Sequence, residues 1–186
     1  MDLRCLVIVD PRDPTRGPGA VHLLLVPAVT QADCPLPPEL LELPPRVRRD
    51  VGTYLDERRL LTCELILGSP RYTWVAVSAR VRARQSADRV RVKREAAEGL
   101  YRYLHPVIGG PDGEGWPFGR ELFAGELYSQ LQQIPGVDVV EQVVLHIVDP
   151  ATSQLGPPLT ELSIDPDGLL CSWEHDIDVQ PMSRKR

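Results

Sequence analysis

The chain has 186 residues, with 26 acidic and 21 basic side chains and a net charge of −5; 42% of residues are hydrophobic and 25% charged. This is enough length to bury a core in one domain or two small ones, and no apolar run approaches the roughly 20 residues of a membrane span. Proline is abundant at 19 residues, and Cys5, Cys34, Cys63 and Cys171 are widely spaced with no C-x-x-C pair, which reads as reduced thiols in a cytoplasmic protein.

The opening "MDLRCLVIVDPRDP" has a short apolar patch followed by charges and prolines and does not read as a secretory signal. Residues 1–19 are expected to form an N-terminal strand and a Pro/Gly linker. "VHLLLVPA" (21–28) reads as a buried strand ended by Pro27. "DCPLPPELLELPP" (33–45) is too rich in proline for a long helix. A helix fits 46–59, where Val47, Val51, Tyr54 and Leu55 recur at spacings of three and four, and "LTCELILG" (61–68) is a second strand.

In "YTWVAVSARVRAR" (72–84) Thr73, Val75, Val77, Ala79, Val81 and Ala83 share one face; Trp74, Ala76, Ser78, Arg80, Arg82 and Arg84 share the other. This predicts a long half-buried strand whose exposed end bears an arginine row, with no acid interleaved on that face. A helix at 90–104 follows, striped by Val92, Ala96, Leu100, Tyr103 and Leu104, with Pro106 beyond its end. Strand, helix, strand, strand, helix is most of a ferredoxin-like split βαβ unit.

"GGPDGEGWPFGR" (109–120) then raises the question of a phosphate loop. Gly110 and Gly115 have the spacing of a P-loop, but Trp116 stands where the lysine belongs and Pro117 where the hydroxyl belongs. Phe118 occupies the third glycine position of a dinucleotide fingerprint, and Asp112 and Glu114 would repel an anion. A turn reading explains each residue better: glycines supply conformations that side chains forbid. Trp116 and Phe118 point the same way from an extended segment, as an anchor either into the protein's own core or into a neighbour. Arg120, at a helix start, calls for a carboxylate partner.

A helix at 120–133 presents Phe123, Leu127, Leu131 and Ile134 and is stopped by "PG" (135–136). Strands at 137–149, 159–165 and 169–179 complete a helix packed on a three-stranded antiparallel meander, with "DPDG" (165–168) as a turn. The fold class expected is therefore α+β. Its parts are a basic α/β subdomain at 20–108, an acidic α+β subdomain at 109–179 and a basic tail at 180–186. Residues 80–102 hold eight basic and three acidic side chains; residues 111–178 hold thirteen acidic ones and only Arg120. Opposed patches suit docking among proteins, and the acidic half opposes nucleic-acid binding.

Catalytic signals are thin. His22, His105, His146 and His175 show no metal-ligand spacing, and no G-x-S-x-G is present. Asp176 and Asp178 share a strand face, which reads as a solvated acidic edge rather than a cation site, because a hard cation wants several converging oxygens. Cys171 and His175 lie about 13 Å apart along a strand, too far for a nucleophile and base. No catalytic residue, metal or cofactor is assigned. The candidate partner interface is Arg80, Arg82, Arg84, Trp116, Phe118 and Arg120.

Several stretches carry a family resemblance: "LLLVP" (23–27), "YLDERRLLT" (54–62), "SPRYTWVAVSARVRA" (69–83) and "LSIDPDGLLCSWEHDIDV" (162–179). The strongest is "LYRYLHPVIGGPDGEGWPFGRELFAGELYSQLQQIPGVDVVEQVVL" (100–145). Over residues 20–179 the chain resembles the C-terminal part of the baseplate assembly proteins of the baseplate J-like family, found in contractile phage tails and phage-tail-like injection systems. The resemblance implies a non-enzymatic wedge component of a sixfold baseplate, docked to wedge partners, hub or spike proteins and sheath-proximal proteins. Family members usually carry a large N-terminal region, so the resemblance implies a fragment of a longer protein, or a split or degenerate version. The alternatives are an adaptor that binds baseplate components without joining the particle and, less favoured, an enzyme with a glycine-loop phosphate site.

Overall fold

A computed structural model describes residues 3–8, 20–60 and 64–181. The chain divides into two compact units, Met1–Val29 with Pro38–Arg71, and Thr30–Pro37 with Tyr72–Arg186. The expected linker at 10–19, the start of the strand at 61–68 and the last five residues of the basic tail lie outside the described residues.

In the first unit, β1 (Leu3–Ile8) and β2 (Ala20–Pro27) pair antiparallel. A 3₁₀ turn at Pro38–Leu41 and helix α1 (Pro45–Asp56) lead to β3 (Glu64–Gly68), which lies parallel to β2. Pro45 opens α1, where its missing N–H costs nothing. The helix is the crossover that two parallel strands require. Val47, Val51 and Leu55 of α1 pack with Leu65 and Leu67 of β3 on the buried Leu23, Leu25 and Leu43. Each fully buried leucine contributes about 1.5–3 kcal/mol.

In the second unit, β4 (Arg71–Ala83) precedes α2 (Arg89–Tyr103). Then come β5 (Leu122–Phe123), α3 (Ala124–Gln132), β6 (Val137–Asp149) and β7 (Gln154–Leu155). The last elements are β8 (Glu161–Leu162), β9 (Gly168–Ser172) and β10 (Asp176–Gln180). The main sheet runs β10-β4-β6-β7, with β9 also joined to β4. β4 is antiparallel to β6 and parallel to β10. Val75, Val77, Ala79, Val81 and Ala83 are buried, as their alternation predicts, together with Val92, Ala96 and Leu100 of α2 and Leu127 and Leu131 of α3. The Asp88 side chain caps α2 by accepting from the Val90 amide at 2.9 Å.

Three expectations need correction. A split βαβ unit places a strand between its two parallel strands, but β2 and β3 are direct neighbours, with Leu23 opposite Leu67. β4, which would have joined them, has one edge paired to β6 and the other to β9 and β10. For the same reason the boundary between units falls at residue 71 rather than 108, and β4 and α2 belong with the acidic segments. The meander does not form either. The segment 159–165 pairs only through β8 with β5 and through a Leu159–Leu145 bridge. The segment 169–179 breaks at Trp173–His175 into β9 and β10, because the His175 ring turns inward and accepts the Val77 amide at 3.1 Å.

Candidate interaction site

The glycine-rich loop is built on His105, which is buried at the end of α2. Its Nδ1 accepts the amides of Val107 at 3.0 Å and Ile108 at 3.2 Å, so the ring proton sits on Nε2 and is donated to the Gln31 carbonyl at 3.0 Å. Burial lowers the pKa of this histidine, and the ring stays neutral. The His105 carbonyl accepts from Gly109 at 3.0 Å and Trp116 at 3.2 Å; Gly110 donates to Tyr103 at 2.7 Å and Gly115 to Gly109 at 2.7 Å. Amides that would face a phosphate are thus taken by the loop's own carbonyls. A Cβ on Gly109 would stand 2.5 Å from the carbonyl oxygens of Arg102 and Tyr103. Gly110 has φ +78°, and a Cβ there would stand 2.6 Å from the Gly115 oxygen. Glycine is demanded here by close backbone packing.

Trp116 is 0% exposed. Its ring meets Tyr103 edge-on with centroids 5.8 Å apart, and its Nε1 donates to the Arg120 carbonyl at 3.2 Å. The Arg120 guanidinium lies 4.8 Å from the Trp116 ring centroid and donates through Nη2 to Glu126 Oε2 at 2.8 Å. The Tyr103 hydroxyl donates to that same oxygen at 2.8 Å. Burial, reinforced by Glu126, pushes the Tyr103 phenol up to about 12. Glu126 is therefore the carboxylate that Arg120 called for, six residues on. Of the loop's three interface candidates, Trp116 and Arg120 turn into the protein's own fabric, and Phe118 is half-buried.

The arginine row behaves differently. Arg80 pairs with Asp178 of β10 at 3.3 Å, and Arg82 pairs closely with Glu141 of β6. Arg84 is exposed and forms no ion pair among the described residues. No acid interleaves on β4 itself, but the flanking strands supply two. Asp178 is held below the usual carboxylate range, first by the Gln180 side chain and then by Arg80.

One constellation has no sequence signal. The break between β9 and β10 brings Ser172 Oγ to 2.8 Å from His175 Nε2, the separation of a nucleophile and its base. The proton points the wrong way. His175 Nδ1 accepts the Val77 amide, so Nε2 bears the hydrogen and donates to serine instead of receiving from it. Burial lowers the ring's pKa to about 3, and Tyr101 stacks on it with centroids 4.6 Å apart. Among the described residues no group of three His, Cys, Asp or Glu side chains could hold a metal ion, and no helix is long and apolar enough to cross a membrane.

No family model matches this sequence, and no curated protein is similar to it. The fold itself has a counterpart: 94% of the chain superposes on a chain of the anti-feeding prophage baseplate, solved by cryo-electron microscopy with sixfold symmetrisation, at a TM-score of 0.51 and 18% sequence identity. The fold is one found in a prophage baseplate. The match spans 33% of that longer chain, so the likeness is of one segment of it, and at this identity it is a likeness of fold.

Proposed function

We propose that the protein is a structural baseplate element of a contractile, phage-tail-like injection system, related to the baseplate J-like family and acting as part of a wedge. The observation that carries this reading is the shared fold over 94% of the chain. The candidate site supports it by what it does chemically: the glycine loop closes on the carbonyls of its own base, and the Ser172–His175 pair holds its proton in the wrong place for nucleophilic attack. On this reading the work is done by docking to other baseplate proteins in multiple copies, including wedge partners, hub or spike proteins and proteins near the sheath.

The test is co-purification. A tagged chain expressed with the genes of a complete contractile tail from the same source is expected to sediment in a high-mass particle together with sheath, tube and spike proteins. A chain that is bound to unassembled components but absent from finished particles is the adaptor of the alternative reading. A chain bound to none of them removes both.

A further inference from the structure

The two edges of the main sheet are treated differently. On the β6 side the outward backbone is occupied along its length. Gln132 donates to the Asp138 carbonyl at 2.9 Å and accepts from the Val140 amide at 3.3 Å. The Val143 amide donates to the Tyr128 hydroxyl at 3.1 Å. The Leu145 amide donates to Leu159 at 2.9 Å, and Gly156 donates to the Ile147 carbonyl at 2.8 Å. This edge is plugged by α3 side chains and by the chain that follows β6. Natural sheets blunt an edge in this way against unwanted pairing.

At the other edge β10 ends the strand order. Its backbone pairs with β4, and among the described residues no other element bonds to the backbone of Asp176–Gln180. A cleft of about 710 Å³ lies along β10, lined by Asp176, Ile177, Asp178 and Val179 with Arg80 of β4 on one wall, and by Arg89, Val90 and Lys93 of α2 with its capping Asp88 on the other. Val90 is 79% exposed there. Of two edges in one sheet, one is closed by side-chain and backbone hydrogen bonds and the other opens on a trough.

The charges along the trough define the occupant. Asp176 lies beside the uncharged Ser78 on β4 and is exposed, whereas Asp178 lies beside Arg80. Asp176 and Arg89 form no ion pair among the described residues, while Lys93, one helical turn beyond Arg89 on α2, acts on Asp178 from longer range. An added strand places alternate side chains on opposite faces. Those on the face of Asp176 and Asp178 are favoured as basic, since opposite charges pair across strands. Those on the α2 side are favoured as apolar or acidic, beneath Val90, Arg89 and Lys93. We infer that β10 is an open docking edge for an extended segment of a partner protein, added as a further strand, with basic residues at alternate positions and apolar or acidic residues between them. The inference rests on the sheet and the cleft, so it stands or falls separately from the baseplate reading.

The probe is a labelled heptapeptide alternating lysine with valine and glutamate, titrated into the full-length chain. Saturable binding is expected, with NMR shift changes concentrated at residues 176–180 and 89–93. The same peptide N-methylated at alternate amides keeps every charge but loses the backbone donors, and it should bind at least about tenfold more weakly. The exposed substitution Asp176→Lys should leave the fold intact and weaken the lysine peptide. Equal binding of the N-methylated peptide would reduce the edge to a charged surface and overturn the inference. No binding at millimolar peptide, or shifts spread over the acids at 121, 161 and 165, would overturn it as well.

Discussion

In the loop 109–120 the amides of Gly110, Gly115 and Trp116 close on carbonyls of the loop's own base, and Arg120 is roofed by Trp116 and bonded to Glu126. In the arginine row Arg80 and Arg82 meet acids at or near the surface, where water stands ready to replace either partner. In the loop the removal of one group leaves another buried and unpaired, which costs about 1–3 kcal/mol. In the row, an exposed ion pair contributes about 0–1 kcal/mol. Two stretches that draw the eye equally as sequence thus differ in kind: the loop holds the fold together, and the row is available for other duties.

The widest separation between them should come from Trp116→Ala. Emptying a fully buried aromatic site costs about 3–5 kcal/mol, read as a lower urea midpoint with an unchanged slope. A loss under about 1 kcal/mol would show that the loop lies outside the cooperative core.

Acid should separate the regions next. His105 is neutral when folded, with its pKa lowered by burial, so the unfolded chain takes up the proton first. Stability from this source is whole above the unfolded pKa near 6.5 and falls as pH drops below it, by at most about 1.4 kcal/mol per pH unit. His175, lowered to about 3, adds to the same slope down to that pH. Asp178 is depressed as well, but its contribution is present above the ordinary carboxylate pKa and is lost only below it. The protection factors of the Val107 and Ile108 amides, which correct the exchange rate for its intrinsic pH dependence, should therefore fall between pH 6.5 and 5, while the Arg80–Asp178 pair persists. The reverse order would contradict the assigned tautomer.

Within the loop, Gly110→Ala and Gly113→Ala offer a finer contrast. Both glycines have positive φ, +78° and +73°, but a Cβ meets the Gly115 oxygen at the first and open space at the second. Gly113→Ala should cost about 1–2 kcal/mol from backbone strain alone, and Gly110→Ala measurably more. Equal losses would mean that the loop base yields. Smallest of all, Arg80→Ala should change stability within about 0.5 kcal/mol. A loss above about 2 kcal/mol would make the row structural after all.

What could be read from the sequence was local. The alternation in 72–84 told which residues of β4 face the core, since a strand's faces follow from its own period. The turn chemistry of 109–120 and the want of a carboxylate near Arg120 were equally legible. What could not be read was which strand lies beside which. Alternation assigns a face and leaves the neighbour open, so nothing in "VHLLLVP" or "ELILG" distinguishes adjacent parallel strands from a split pair. The acids that meet the arginine row are 98 and 59 residues away along the chain. The break at 173–175 hides for the same reason: Trp173–His175 continues a clean alternation, and only the distant Val77 amide makes a bend there worthwhile.

That distance bears on how the chain comes to fold. β4 is central to its sheet, yet its partner on one side begins at Val137 and its partners on the other begin at Gly168 and Asp176. On a ribosome adding roughly 5–20 residues per second, roughly 5–20 s pass between the synthesis of β4 and the emergence of β10. Through that interval a thirteen-residue strand rich in valine has at least one bare edge. The arginines at its far end then act as gatekeepers, because like charges repel a second nascent copy before any acid has arrived to pair with them.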